Sequence, residues 1–200
     1  MRAPLSLLFF SALAGTMTVI AAPNDLTKSF DSPDGRFALT ITMPDKQAEW
    51  ATLQVVEQAS RKIVAELGNE YPSIMSEIKV AWSPDSKRLA YRTAGQREWS
   101  TSVYFWDGSA FVQVELPEEL PSPDINTRKS DEAGGVKNYG GGEEPVRWLK
   151  SGDLELRSEQ RLMARESSRS YTGTLTFTIG FDAQQRASVK SVSKSKTRVE

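Results

Sequence analysis

Phe30-Asp31-Ser32-Pro33-Asp34-Gly35-Arg36-Phe37-Ala38-Leu39 and Val80-Ala81-Trp82-Ser83-Pro84-Asp85-Ser86-Lys87-Arg88-Leu89-Ala90-Tyr91 are two copies of one pattern. Each places an aromatic residue ahead of Ser-Pro-Asp, then a small residue, a cation and an apolar run. Proline fixes φ at the second position of a turn and aspartate tolerates the third, so each copy reads as strand, tight turn, strand. A unit of that kind recurring along a chain points to a fold assembled from copies.

The second copy sits in the clearest unit, Ile78 to Leu116. Ile78–Trp82 and Arg88–Arg92 flank the Ser83–Ser86 turn, and a polar loop runs from Thr93 to Thr101. Ser102–Trp106 and Ala110–Leu116 are then joined through Asp107-Gly108, a strong hairpin signal. The first copy supports the same plan from Phe30 to Leu67. Phe37, Leu39 and Ile41 share one face of a strand, and Leu53–Glu57 and Lys62–Leu67 form a hairpin around Gln58–Arg61. Val55, Ala59, Ile63 and Leu67 also lie four apart, as on a helix, with Glu57 and Arg61 as a favourable pair. The β-branched content favours the hairpin. A third, diverged unit, Pro145–Leu156, keeps an aromatic residue, Trp148, ahead of the turn and an alternating strand after it, but lacks Pro and Asp at the turn positions. Leu175, Phe177, Ile179 and Phe181 alternate with polar residues, and Asp182–Gln185 turns that strand into Arg186–Val192. Ser158–Ser170 reads as a polar loop or short helix.

The Ser-Pro-Asp units resemble the TolB-like and WD40-like β-propeller repeats, and the Ile78–Leu116 unit is close to the ~40–45 residues of one blade. The resemblance implies protein–protein interaction through loops at one face of a wheel. Propellers close with four to eight blades. The expected fold is therefore all-β and propeller-like, with about three four-stranded antiparallel units. It would be a partial propeller, a three-unit wheel or a twisted sandwich of blade-like hairpins, with Asn24–Phe30 as a candidate extra strand for the last unit. Pro117–Pro145, rich in proline, glycine and charge, shows no strand signal. It reads as a mobile loop, or as a contact element centred on Lys137-Asn138-Tyr139 between glycine clusters.

Met1-Arg2 followed by an almost uncharged run to Ala22 reads as a secretory signal peptide over residues 1–22, cut after Ala22 or Ala21. An uncleaved anchor is the alternative. The expected location is periplasmic or secreted, with a single domain over residues 23–200 and no membrane span after cleavage. The formal net charge of −1 is no footprint for nucleic acid. Lys190, Lys194, Lys196 and Arg198 read as a solvated basic end, with a polyanion contact as the alternative.

The chain has no His and no Cys. Ser-His and Cys-His nucleophilic catalysis is therefore excluded, as are disulfides and metal or haem sites built on imidazole or thiolate. Gly140-Gly141-Gly142 lacks the Lys-Ser or Lys-Thr of a phosphate loop. No cofactor and no metal site is expected. Carboxylate-only glycoside hydrolysis survives, but Asp34 and Asp85 have a local reason to be in turns. Trp82 and Trp148 hold the repeat position and read as core, and Trp106 as packing between sheets. Trp50 and Trp99 occupy matching places in the first two units, among polar neighbours. Each either covers a sheet edge or, with Tyr139, supplies an aromatic surface for a peptide or a sugar ring. The expectation is a non-catalytic module that binds an unknown protein partner, with a carbohydrate binder or carboxylate-only hydrolase as the alternative.

Overall fold

The computed structural model describes residues 26–93, 95 and 97–200, so the segment read as a signal peptide lies outside the described residues. Among the described residues no helix is long and apolar enough to cross a membrane. The structure is all-β, in three sheets built mainly of antiparallel strands. Sheet one is a meander of β1 (Leu26–Asp31), β2 (Phe37–Met43), β3 (Ala51–Glu57) and β4 (Lys62–Glu70). After the short α1 (Ile74–Glu77), sheet two pairs β5 (Val80–Trp82), β6 (Arg88–Arg92), β8 (Thr101–Trp106) and β9 (Phe111–Val114) in that order. Strand β7 (Glu98–Trp99) leaves sheet two and runs parallel to a strand of sheet three. Sheet three follows α2 (Lys129–Gly134) and orders β10 (Val136–Trp148), β11 (Leu154–Ala164), β12 (Ser170–Phe181) and β13 (Ala187–Val192), with β14 (Lys196–Val199) also on β12.

The sheets stack as layers because of which residues alternate. Leu39, Ile41, Leu53 and Val55 of sheet one are fully buried against Leu89, Tyr91, Tyr104 and Phe111 of sheet two. The opposite face of sheet two, with Ala90, Val103 and Phe105, packs on Leu154, Leu156, Leu175, Phe177 and Ile179 of sheet three. Each such large apolar side chain contributes about 1.5–3 kcal/mol on burial. Trp106 bridges the first two layers against Phe37 and Phe111. The outer faces are polar. Sheet one presents Thr27, Ser29, Thr40, Thr42, Thr52 and Gln54, which face one another across β1, β2 and β3. The described residues do not form a closed propeller.

The repeat is visible in atoms. In the first turn Ser32 N donates to Phe37 O (2.8 Å), Ser32 Oγ donates to Asp34 Oδ1 (2.8 Å), and Arg36 N donates to the same Asp34 oxygen (2.9 Å). The second turn repeats all three bonds through Ser83, Asp85, Lys87 and Arg88. The left-handed residue lies after the aspartate, at Gly35 (φ 70°) and Ser86 (φ 59°). The third turn closes one residue earlier, from Leu149 N to Asp153 O, with Gly152 at φ 85°. Between layers, Trp82 Nε1 donates to Phe30 O (3.0 Å) and Trp148 Nε1 to Ala81 O (3.1 Å). Phe30 and Ala81 stand at the same place relative to their turn serines, so one indole-to-carbonyl step links sheet one to two and two to three.

One reading stands and three change. Residues 54–67 form the hairpin β3–β4, Val55 opposite Ala65 and Glu57 opposite Lys62, and no helix. The described part of the Asn24–Phe30 candidate does not serve the last unit: β1 (Leu26–Asp31) pairs with β2, Phe30 opposite Leu39. Ser158–Ser170 is mostly strand, since β11 is paired along its length with β10 and β12. Pro117–Pro145 is not strandless: β10 begins at Val136 and α2 precedes it. Its glycines and Pro145 hid the strand, and the proline falls at a register shift where its missing N–H is tolerated. The remainder, 117–128, has no regular element but is tied to sheet three. Asp124 N donates to Ser195 Oγ, Asn126 N to Thr197 Oγ1 and Arg128 N to the Tyr171 hydroxyl.

Candidate functional site

Gly140 to Gly142 are what allow β7 to approach β10. A Cβ on Gly140 would fall on the carbonyl of Arg97, and one on Gly142 on the carbonyl of Trp99. Gly140 also holds φ at 133°, where a side chain is strained. Without side chains there, Glu98 and Trp99 lie alongside Gly141 and Gly142. The consequence is a cleft of about 380 Å³ between the 92–99 segment and sheet three, lined by Glu77, Arg92, Arg97, Trp99, Tyr139 and Arg161.

Arginine covers the aromatic rings of this cleft. Arg92 lies 4.3 Å from the Trp99 ring centroid and Arg161 5.6 Å from it, while Arg97 lies 5.3 Å from that of Tyr139. Such contacts are worth about 0.5–1 kcal/mol each at exposed sites. Arg92 is largely buried and pairs with Glu77 (3.4 Å) and Glu144 (3.8 Å). Trp99 Nε1 and Arg92 Nε are buried donors with no acceptor among the described residues. An unmet buried donor costs about 1–3 kcal/mol, and this end of the cleft carries two that the described residues leave unsatisfied. Glu143, next to Gly142, accepts a bond from Thr101 Oγ1 at its carbonyl (3.0 Å), and burial raises its carboxyl above the usual range.

Tyr139 and Arg161 also border a larger concavity of about 690 Å³ on the outer face of sheet three. Its floor is Thr172 and Thr174 of β12. Arg157, Glu159 and Arg161 of β11 rise on one side, and Lys196 and Arg198 of β14 on the other. Arg157, Thr174 and Lys196 continue it into a shallower hollow that ends at Lys194 and Ser193. A chain of net charge −1 thus gathers Arg92, Arg97, Arg157, Arg161, Lys194, Lys196 and Arg198 along one groove, against Glu77, Glu159 and Glu200 and the Glu144 that pairs with Arg92 and Arg157.

Trp99 and Tyr139 are therefore brought together, and Trp50 is not with them. Trp50 is 43% exposed and packs beside Tyr71, itself 47% exposed, with ring centroids 5.1 Å apart and planes tilted by 35°. Asp34 and Asp85 serve their turns. Sequence reading missed the arginines. The alternation Arg157-x-Glu159-x-Arg161 was the available signal, hidden because the buried face of the same strand carries Ser158 and Gln160, with no apolar residue between Leu156 and Leu162. The sequence matches no protein-family model and no curated protein.

Proposed function

We propose that the chain is an exported, non-catalytic binding protein that holds a protein partner, in the periplasm or outside the cell, along the cationic outer groove of sheet three and the Trp99–Tyr139 cleft. The fold is an open arc of three propeller-type units. The repeated Ser-Pro-Asp turn and the repeated tryptophan-to-carbonyl step support that reading of the architecture. The observation that carries the function is the stacking of Arg92, Arg161 and Arg97 on Trp99 and Tyr139 at the head of a continuous cationic groove. Guanidinium groups present planar donor forks suited to carboxylates. Where they cover an indole they also deny its faces to a sugar ring. The test is a photo-crosslinking amino acid at position 139, introduced in cells that export the protein. A protein adduct that disappears when Arg97 and Arg161 are reversed to glutamate supports the reading. No adduct from folded protein refutes it.

A carbohydrate-binding reading has its own observation, the exposed Trp50–Tyr71 pair. Exposed aromatic residues concentrate at binding patches. Glycan-array signal that vanishes in the Trp50→Ala and Tyr71→Ala variants would favour it, and array silence removes it.

A further inference from the structure

Strand register turns the outer face of sheet three into evenly spaced rows. Arg161 stands opposite Thr172, and Thr172 opposite Arg198. The next row is Glu159, Thr174 and Lys196, and the one after it holds Arg157 and Thr176. Consecutive rows are two residues apart along the strands, or about 6.5–7 Å. Each row carries at least one cation at its side, and the middle of every row is a threonine. The result is a low hydroxyl floor between long basic side chains.

The groove's own carboxylates offset its charge only in part. Arg157 pairs with Glu144, Arg161 with Glu159 and Arg198 with Glu200. These guanidinium groups are exposed, and each keeps donors free for a second acceptor. Among the described residues Lys196 is in no ion pair. Resting on the function proposed above, we propose that the occupant is an extended segment of a partner protein in which every second residue is acidic. An extended chain repeats its side chains on one face every two residues, the spacing of the rows. Its carboxylates would meet Arg161 and Arg198, then Lys196, then Arg157, while its backbone lies over Thr172, Thr174 and Thr176. A rod of unrelated charge spacing would fit only one or two rows.

The experiment measures binding of two isomeric peptides by fluorescence anisotropy at low and physiological salt. One alternates glutamate with serine, and the other holds the same glutamates in one block. Sulfated polysaccharide and phosphatidylglycerol vesicles are run beside them. The expected result is at least tenfold tighter binding of the alternating peptide, lost in the Lys196→Glu/Arg198→Glu variant. Both positions are exposed, and circular dichroism checks that the variant is folded. Equal affinity for the two peptides overturns the alternation, and silence of both overturns the acidic occupant. In either case a surviving crosslink at position 139 leaves the binding-protein reading standing. Binding of the polysaccharide or the vesicles alone overturns the acidic occupant, and with no crosslink at position 139 it overturns the binding-protein reading as well.

Discussion

Two tryptophans show how one residue type does opposite work in this chain. Trp148 is 6% exposed, and its indole N–H is spent on the Ala81 carbonyl in the adjoining sheet. Trp99 has no acceptor for the same atom. The Trp148→Phe variant should therefore lose about 1–3 kcal/mol, because it removes a made hydrogen bond together with part of a packed indole. Trp99→Phe should lose clearly less, since it removes an unmet donor. Urea midpoints of the two variants measure the difference, and equal losses would mean that the Trp99 indole is satisfied in solution. Asp131 is a second case. It is buried, and the Tyr171 hydroxyl, then Arg169 and Ser167, bind its carboxylate and hold its pKa below the ordinary value. A carboxyl depressed in the folded state contributes stability above its unfolded pKa, about 3.9, and loses it as pH falls through the lower folded value. Asp131→Asn should accordingly be less stable than the parent at pH 7, with the gap narrowing below about pH 4. A gap that is constant with pH would show that charge on Asp131 does not matter.

At the scale of single elements, the sequence declared what is locally encoded and concealed what is held by neighbours. The hairpins around Ser83–Ser86 and Asp107-Gly108 were legible because proline, serine and aspartate build those turns from their own side chains. The hairpin at 53–67 was legible from β-branched content, against a helical spacing that tertiary pairing overrides. Strand β10 was not legible. Glycine and proline lower strand propensity, and their purpose at 140–142 lies in another segment, the 97–99 backbone resting against them. For the same reason the candidate site was half readable. Aromatic Trp99 and Tyr139 stood out in the sequence, whereas Arg92 and Arg161 became site residues only through the strand register. The Gly142→Ala variant tests this dependence. Its methyl group would occupy the place of the Trp99 carbonyl, so β7 must leave β10 or β10 must shift, at about 1–3 kcal/mol. The expected readout is a changed Trp99 environment by fluorescence, together with loss of the position-139 crosslink, while both hydrophobic cores persist. Unchanged emission and crosslinking would show that the close approach of the two segments is not required.

For the molecule as a whole, the outer faces decide whether three units stop at three. A sheet inside a propeller packs apolar residues on both sides, and here only sheet two does so. Sheet one ends the stack with threonine, serine and glutamine, and Thr40 Oγ1 and Thr52 Oγ1 donate to Gln54 O and Asn69 Oδ1 on the face itself. Sheet three ends it with threonine, arginine and lysine. Polar terminal faces keep a repeat stack from recruiting further copies, so the three-sheet stack should remain monomeric. Replacing Thr40, Thr42 and Thr52 together by valine keeps the side-chain shape and β-branching but turns that face apolar. An apolar patch on an outer layer drives association. Light scattering coupled to gel filtration should then give one mass for the parent across a hundredfold range of concentration, and a mass that rises with concentration for the triple variant. A parent that dimerises, with the variant no different, would mean that the polar outer face of sheet one is not what ends the stack.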